Sequence, residues 1–149
     1  MPAGNGLRHV MCMTGSQSYR LRCHMSKQTV LVVEDNVDLR TICKAFLEHR
    51  GYEAICAADG REGVDLARRH LPDAVLTDLV MPVMDGWEVA RRLRSDDATR
   101  DIPVVAITAQ SMEPEARERA GFAACLRKPV DPETLVRTLR TAVAGSAAA

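Results

Sequence analysis

Five side chains stand at the ends of apolar runs, and their types suit one kind of chemistry. Glu34 and Asp35 close "TVLVVED", Asp78 closes "DAVLTD", Thr108 closes "IPVVAIT", and Lys128-Pro129 follows "AACL". Three carboxylates brought to one edge repel each other, at a cost unless a cation joins them. Hard oxygen donors with little thiol or imidazole nearby favour Mg2+, with Mn2+ as the alternative, because such ions need few protein ligands and keep waters and a phosphate oxygen. A lysine and a hydroxyl at the same edge suit the remaining oxygens of a phosphoryl group. The set points to phosphoryl transfer onto a carboxylate.

These groups meet only if the runs that carry them lie side by side and point the same way. "TVLVVED" is a continuous β-branched run, the pattern of a strand buried on both faces. Asn36 or Asp35 can cap the helix after it, whose apolar positions Leu39, Ile42, Cys43, Phe46 and Leu47 are spaced as an inward face, with Gly51 ending it. "EAICAA" reads as a second strand, and Asp59 with Glu62 opens a helix running to about His70. "DAVLTD" is the third strand. Asp85 with Glu88 repeats the capping spacing, and Trp87, Ala90 and Leu93 give the next helix its inner face. "IPVVAIT", the short helix "SMEPEARERAG", "AACL" and a last helix opened by Asp131-Pro132 complete the pattern. Five β–α units with buried strands imply a parallel sheet with helices on both faces. At this length the open, doubly wound α/β form is preferred to a barrel. In such a sheet the functional crevice lies at the C-terminal ends of the strands, where the chemical residues fall.

Composition narrows the setting. A chain of 149 residues, 46% hydrophobic and 27% charged, is sized for one globular domain. Zero net charge gives no reason to expect nucleic acid or an anionic membrane as partner, and no apolar run reaches the roughly 18 residues of a membrane span. Five scattered cysteines form no C-x-x-C, which speaks against a disulfide framework or a zinc site and for a reducing, cytoplasmic setting. Residues 1–25 carry Arg8, Arg20 and Arg22 without an acid and show neither periodicity nor a strand. They are expected to form a disordered extension, with 26–144 as the domain and 145–149 as a disordered tail. Met25 stands directly before the organised sequence, so the start of translation itself is open to test.

"LVVEDN", "LTDLVMPVMDGWE", "ITA" and "LRKPVD", in this order and at these separations, resemble the receiver domain of bacterial two-component response regulators, of the single-domain, chemotaxis-regulator-like kind. The resemblance covers about 29–143 and implies a flavodoxin-like (βα)5 fold with strand order 2-1-3-4-5. It implies Asp78 as phosphoacceptor, with Mg2+ held by Asp35, Asp78 and the backbone carbonyl of Val80, and by Glu34 through a water. Thr108 and Lys128 would contact the phosphoryl oxygens, and the Lys128-Pro129 bond would be cis. The phosphoryl donor it implies is a sensor histidine kinase or a phosphotransfer protein. Such a phosphoprotein is not an enzyme, although it can catalyse its own phosphorylation and dephosphorylation, and it acts on a downstream protein that the sequence does not name. Val80 and Gln110 resemble positions that tune the lifetime of the acyl phosphate.

One departure stands out: three residues before Lys128, where the family usually has Tyr or Phe, the chain has Cys125. Phosphorylation can therefore be read out through the loop after Thr108 or the helix at 112–120, a population shift without an aromatic swing. Two other classes compete. A degenerate receiver would bind partners without being phosphorylated. An aspartyl-phosphate phosphatase would need a second acid two residues after Asp78, and Val80 occupies that place. The chain can also be a piece of a larger hybrid protein. Blander roles exist for each residue: Thr108 as a loop cap, Lys128 as a surface lysine, Cys125 as a small apolar filler and Trp87 as packing.

Overall fold

The computed structural model describes residues 9–14, 17–22 and 27–148, with side chains from 27 to 146. Strand β1 (His9–Thr14) pairs antiparallel with β2 (Gln17–Arg22) in a separate two-stranded sheet. The expectation that residues 1–25 hold no strand is thus corrected for these two segments. Thr14 partners Gln17, so two residues of sequence, Gly15-Ser16, separate the strands, a spacing and a dipeptide that hairpins favour.

The rest alternates as its hydrophobic pattern dictates: β3 (Thr29–Val33), α1 (Val37–His49), β4 (Glu53–Ala57), α2 (Gly60–His70), β5 (Ala74–Asp78), α3 (Gly86–Ser95), β6 (Val104–Thr108), α4 (Pro114–Ala120), β7 (Ala124–Arg127) and α5 (Pro132–Ala148). The sheet runs β4-β3-β5-β6-β7 with every neighbour parallel, which is 2-1-3-4-5 counted within this sheet. Side chains alternate between its two faces. Val30 and Val32, with Leu76 and Val105, pack on Leu47 of α1 and on Leu135 and Leu139 of α5. Leu31 and Val33, with Val75 and Val104, pack on Val64 and Ala67 of α2 and on Val89 and Leu93 of α3. Burying one such side chain contributes roughly 1.5–3 kcal/mol, against roughly 0–1 kcal/mol for a surface ion pair such as Arg100–Asp97. Rigidity at the strand ends therefore comes from the two apolar layers.

Caps set where the helices begin. Asn36 Oδ1 accepts from the Asp38 and Leu39 N–H groups at 2.9 and 3.0 Å. Asp59 and Asp85 each accept from the N–H three residues on at 2.9 Å, and Asp131 accepts from Thr134 N–H at 2.9 Å. At the other ends, Gly51 (φ +92) and Gly121 (φ +81) take the left-handed conformation that favours glycine.

Two expectations on the helices need correction. Leu39 and Ile42 of α1 are 45% and 65% exposed, while Leu47 is fully buried and Cys43 and Phe46 are half-buried against the core. Burial rises along the helix axis: on the single line Leu39, Cys43, Leu47 the side chains pass from half-exposed to fully buried, so α1 packs on the sheet by its second half and its first turns stand clear of the core. At the C-terminus, α5 continues to Ala148 where a disordered tail was expected from 145, and Ser146 Oγ donates to Asp101 O at 2.7 Å. Alanine is the strongest helix former, and Ala142 and Ala144 with this bond offset Gly145.

Candidate functional site

The parallel register brings the chemical residues to one edge. Val33 pairs with Thr77, so Glu34 and Asp78 leave the sheet in step; Thr108 pairs with Arg127, so Lys128 follows one residue later. Lys128 Nζ donates to Asp78 Oδ2 at 2.8 Å and lies 3.8 Å from Glu34 Oε2. One carboxylate oxygen from each of Glu34, Asp35 and Asp78 lies within 4.8 Å of the others. The second oxygen of Asp78, Oδ1, accepts from Val80 N–H at 3.1 Å, and Glu34 Oε1 accepts from Asn36 N–H at 3.1 Å. Glu34, Asp35, Asp78 and Lys128 thus lie together as the sequence leads one to expect, while Val80, whose carbonyl was expected as a ligand, touches Asp78 through its N–H. Thr108 lies at the neighbouring strand end, 4% exposed, where its Oγ1 accepts from Gln110 N–H at 3.1 Å. Its own proton bonds no partner among the described residues. The Lys128-Pro129 bond is cis.

Electrostatics follow from this crowding. Burial pushes the Glu34 carboxyl above its ordinary range; the Asn36 amide pulls the other way, while the charge of Asp78 adds to the rise. For Lys128, burial alone lowers the ammonium, yet its bond to Asp78 and the charges of Asp78, Glu34 and Asp35 prevail and raise it. Three carboxylates against one ammonium leave two formal negative charges at a cluster of hard oxygens. That donor set fits a small divalent cation.

The loop after Asp78 is shaped by close backbone approach. A Cβ on Gly86 would lie 2.4 Å from the Asp78 carbonyl oxygen, so only glycine lets α3 begin against the end of β5. Met84 N–H bonds Pro82 O at 2.8 Å around Val83, whose φ of +71 is strained for a β-branched residue. Met81 and Met84 are buried beneath the loop, while Val80 is 75% exposed above it. Sequence reasoning marks Asp85-Gly86 as shaping this loop, but it missed Arg40. Arg40 Nη1 donates to Glu34 O at 2.8 Å and to Asp35 O at 3.5 Å. Only its helical register, four residues after the Asn36 cap, hints at it.

Cys125 packs half-buried on the core cluster that also takes in Met112 and Ala120, and burial raises its thiol. The aromatic contact on that side of the sheet is instead Trp87 against Phe122, edge to face with centroids 5.4 Å apart. No helix among the described residues is long and apolar enough to cross a membrane.

An open parallel sheet with an acidic crevice and a lysine at its carboxyl edge is the architecture of a signalling receiver. Residues 30–140 match the response regulator receiver domain, and the chain belongs to that family. Over 118 residues it is 38% identical to protein PilH of Pseudomonas aeruginosa, covering 78% of this chain and 98% of that one. Over 116 residues it is 36% identical to the polar-differentiation response regulator DivK of Brucella anthropi, covering 76% of this chain and 94% of that one. Among solved structures, the Vibrio cholerae chemotaxis protein CheY4 superposes with a TM-score of 0.73 at 32% identity, over 78% of this chain and 99% of that one. The receiver domain of the sensor histidine kinase PA1611 from Pseudomonas aeruginosa, also at a TM-score of 0.73, is 34% identical over 80% of this chain and 99% of its own. That structure has a magnesium ion coordinated in its active site cleft.

Proposed function

We propose that this chain is a stand-alone cytoplasmic receiver, its working unit residues 26–144. It takes a phosphoryl group from a sensor histidine kinase or a phosphotransfer protein onto Asp78. It then signals through phosphorylation-dependent contact with another protein. The observation that carries this reading is the Lys128 ammonium bonded to Asp78 at 2.8 Å inside a cluster of three carboxylates. A structural salt bridge needs no third acid. A phosphoryl site does, because the acids supply the ligands of a cation.

Asp35, Asp78 and the backbone carbonyl of Val80 would hold Mg2+ directly, and Glu34 through a water. When bound, Mg2+ offsets the charge that develops on the phosphoryl oxygens. An Asp78 carboxylate oxygen attacks phosphorus, the P–N bond to the donor imidazole breaks with its electron pair going to nitrogen, and the imidazole takes up a proton. Lys128 exchanges its bond to the carboxylate for one to a phosphoryl oxygen. Thr108 donates its unengaged hydroxyl proton to another, which draws it toward the site. Val80 stands two residues after Asp78, where an aspartyl-phosphate phosphatase of the D-x-D kind carries its second acid, so the reading is of an acceptor and not of a phosphatase with turnover.

The test is intact mass after incubation with acetyl phosphate and Mg2+, with native mass spectrometry for beryllofluoride, beside Asp78→Ala. One Mg2+-dependent adduct, absent from the variant, is the expected result. Cys125 favours a second reading, a receiver that binds partners without phosphorylation. Folded, Mg2+-loaded protein that takes neither reagent would establish that alternative.

A further inference from the structure

Arg40 bonds the backbone of both cluster acids that follow β3, and among the described residues no carboxylate pairs with it. Its own N–H closes the first turn of α1 on Asn36 O at 3.0 Å, so the side chain turns back across the cap toward the strand end. The backbone of Glu34 is thereby fixed on both sides, and on its C-terminal side, the Glu34–Asp35 peptide, the hold comes from Arg40. Glu34 N–H is tied to Ala57 O on β4 at 3.1 Å, and Glu34 C=O is tied to the guanidinium at 2.8 Å. Glu34 has a further restraint in the Asn36 amide. Asp35 has none of this kind: its carboxylate is exposed and accepts from no N–H among the described residues, so its aim follows its backbone.

We propose that Arg40 is a positioning residue for the cation: by holding the Glu34–Asp35 peptide it aims the Asp35 carboxylate into the cluster, and this outweighs the repulsion its own charge offers a divalent ion. The inference rests on the cluster being a Mg2+ site. Two physical effects oppose each other, which makes the outcome decisive. If charge alone mattered, a neutral residue at position 40 would tighten Mg2+ binding, since one positive charge is removed from the neighbourhood of a cation. If positioning dominates, the neutral residue loosens the peptide and weakens binding, as loss of groups that orient metal ligands commonly does by 10–100-fold.

Mg2+ affinity of the full chain is measured calorimetrically for the parent, Arg40→Met, Arg40→Gln and Arg40→Lys, with urea midpoints taken in EDTA. Two neutral variants are included so that one failing to fold leaves the test intact. The expected result is roughly tenfold weaker Mg2+ binding in the neutral variants, recovered to within a few-fold by Lys, which keeps a donor and the charge, at unchanged metal-free midpoints. Equal or tighter binding in the neutral variants overturns the proposal. So does weakening that only accompanies a fall in the metal-free midpoint, which is general loosening, or that Lys does not recover. A parent chain that binds no Mg2+ overturns the site reading itself, and is distinguishable because it appears before any variant is compared.

Discussion

Each oxygen of the Asp78 carboxylate has one partner, Lys128 on Oδ2 and the Val80 N–H on Oδ1, so the side chain that would act as nucleophile is held before any donor arrives. Val80 itself stands 75% exposed beside that carboxylate, an apolar rim where water must approach in line to hydrolyse an acyl phosphate. A carboxamide there can hydrogen-bond and orient that water. Val80→Asn is expected to shorten the lifetime of the phosphorylated protein several-fold without changing its urea midpoint, read as loss of the phosphoryl mass adduct over time. Equal decay in parent and variant would remove Val80 from the control of lifetime. These residues were legible in the sequence because each stands at a strand end with a distinctive type. Arg40 was not, because an arginine in the first turn of an amphipathic helix looks like every solvated arginine until the cap beneath it is placed.

At the scale of elements, caps and strands were readable because their signals are local, whereas helix orientation is not. The spacing of Leu39, Ile42, Cys43, Phe46 and Leu47 fits one face, yet only its second half, from Cys43 on, packs on the core. Stability measurements should separate the two halves: Leu47→Ala costs about 2–5 kcal/mol in urea unfolding, and Ile42→Ala stays within about 0.5 kcal/mol. The start of α3 gives a second contrast. Gly86→Ala drives a methyl against the Asp78 carbonyl and Leu79 Cα, backbone atoms that cannot swing aside. It is expected to cost about 1–3 kcal/mol and to weaken Mg2+ binding, because the strand end that carries Asp78 must shift. On the same helix Glu88 bonds Arg91 and Arg92 at 2.6–2.8 Å, which holds its carboxyl down to about 2. A depressed folded pKa stabilises above the unfolded value near 4.5, and that contribution is lost as pH falls toward about 2. Glu88→Gln should therefore narrow the difference in urea midpoint between pH 6 and pH 2.5, by a small amount because the pair is exposed.

For the molecule as a whole, the order 2-1-3-4-5 was not derivable from pattern alone, since periodicity marks strands without saying which lie side by side; the match to a family carried it. The pairing of β1 with β2 was missed for a different reason: Ser18-Tyr19-Arg20-Leu21-Arg22 alternates polar and apolar, but the run is short and carries two arginines, so it does not stand out beside the uninterrupted apolar strands of the domain. What the fold does allow is a division of labour along the chain. Among the described residues, every buried apolar residue of the two core layers lies between Val30 and Leu139, and the family match spans 30–140. The acids, the lysine and the threonine all project from strands anchored in those layers. If residues 1–25 contribute to neither layer, a chain beginning at Ser26 keeps its urea midpoint to within about 0.5 kcal/mol and binds Mg2+ with the parent's affinity. A loss of stability well beyond that would mean that the hairpin segment packs on the domain, and a change in Mg2+ affinity alone would mean that its arginines act on the acidic edge. Intact mass of the protein from its native host, which distinguishes a start at Met1 from one at Met25, tells which of the two chains the cell makes.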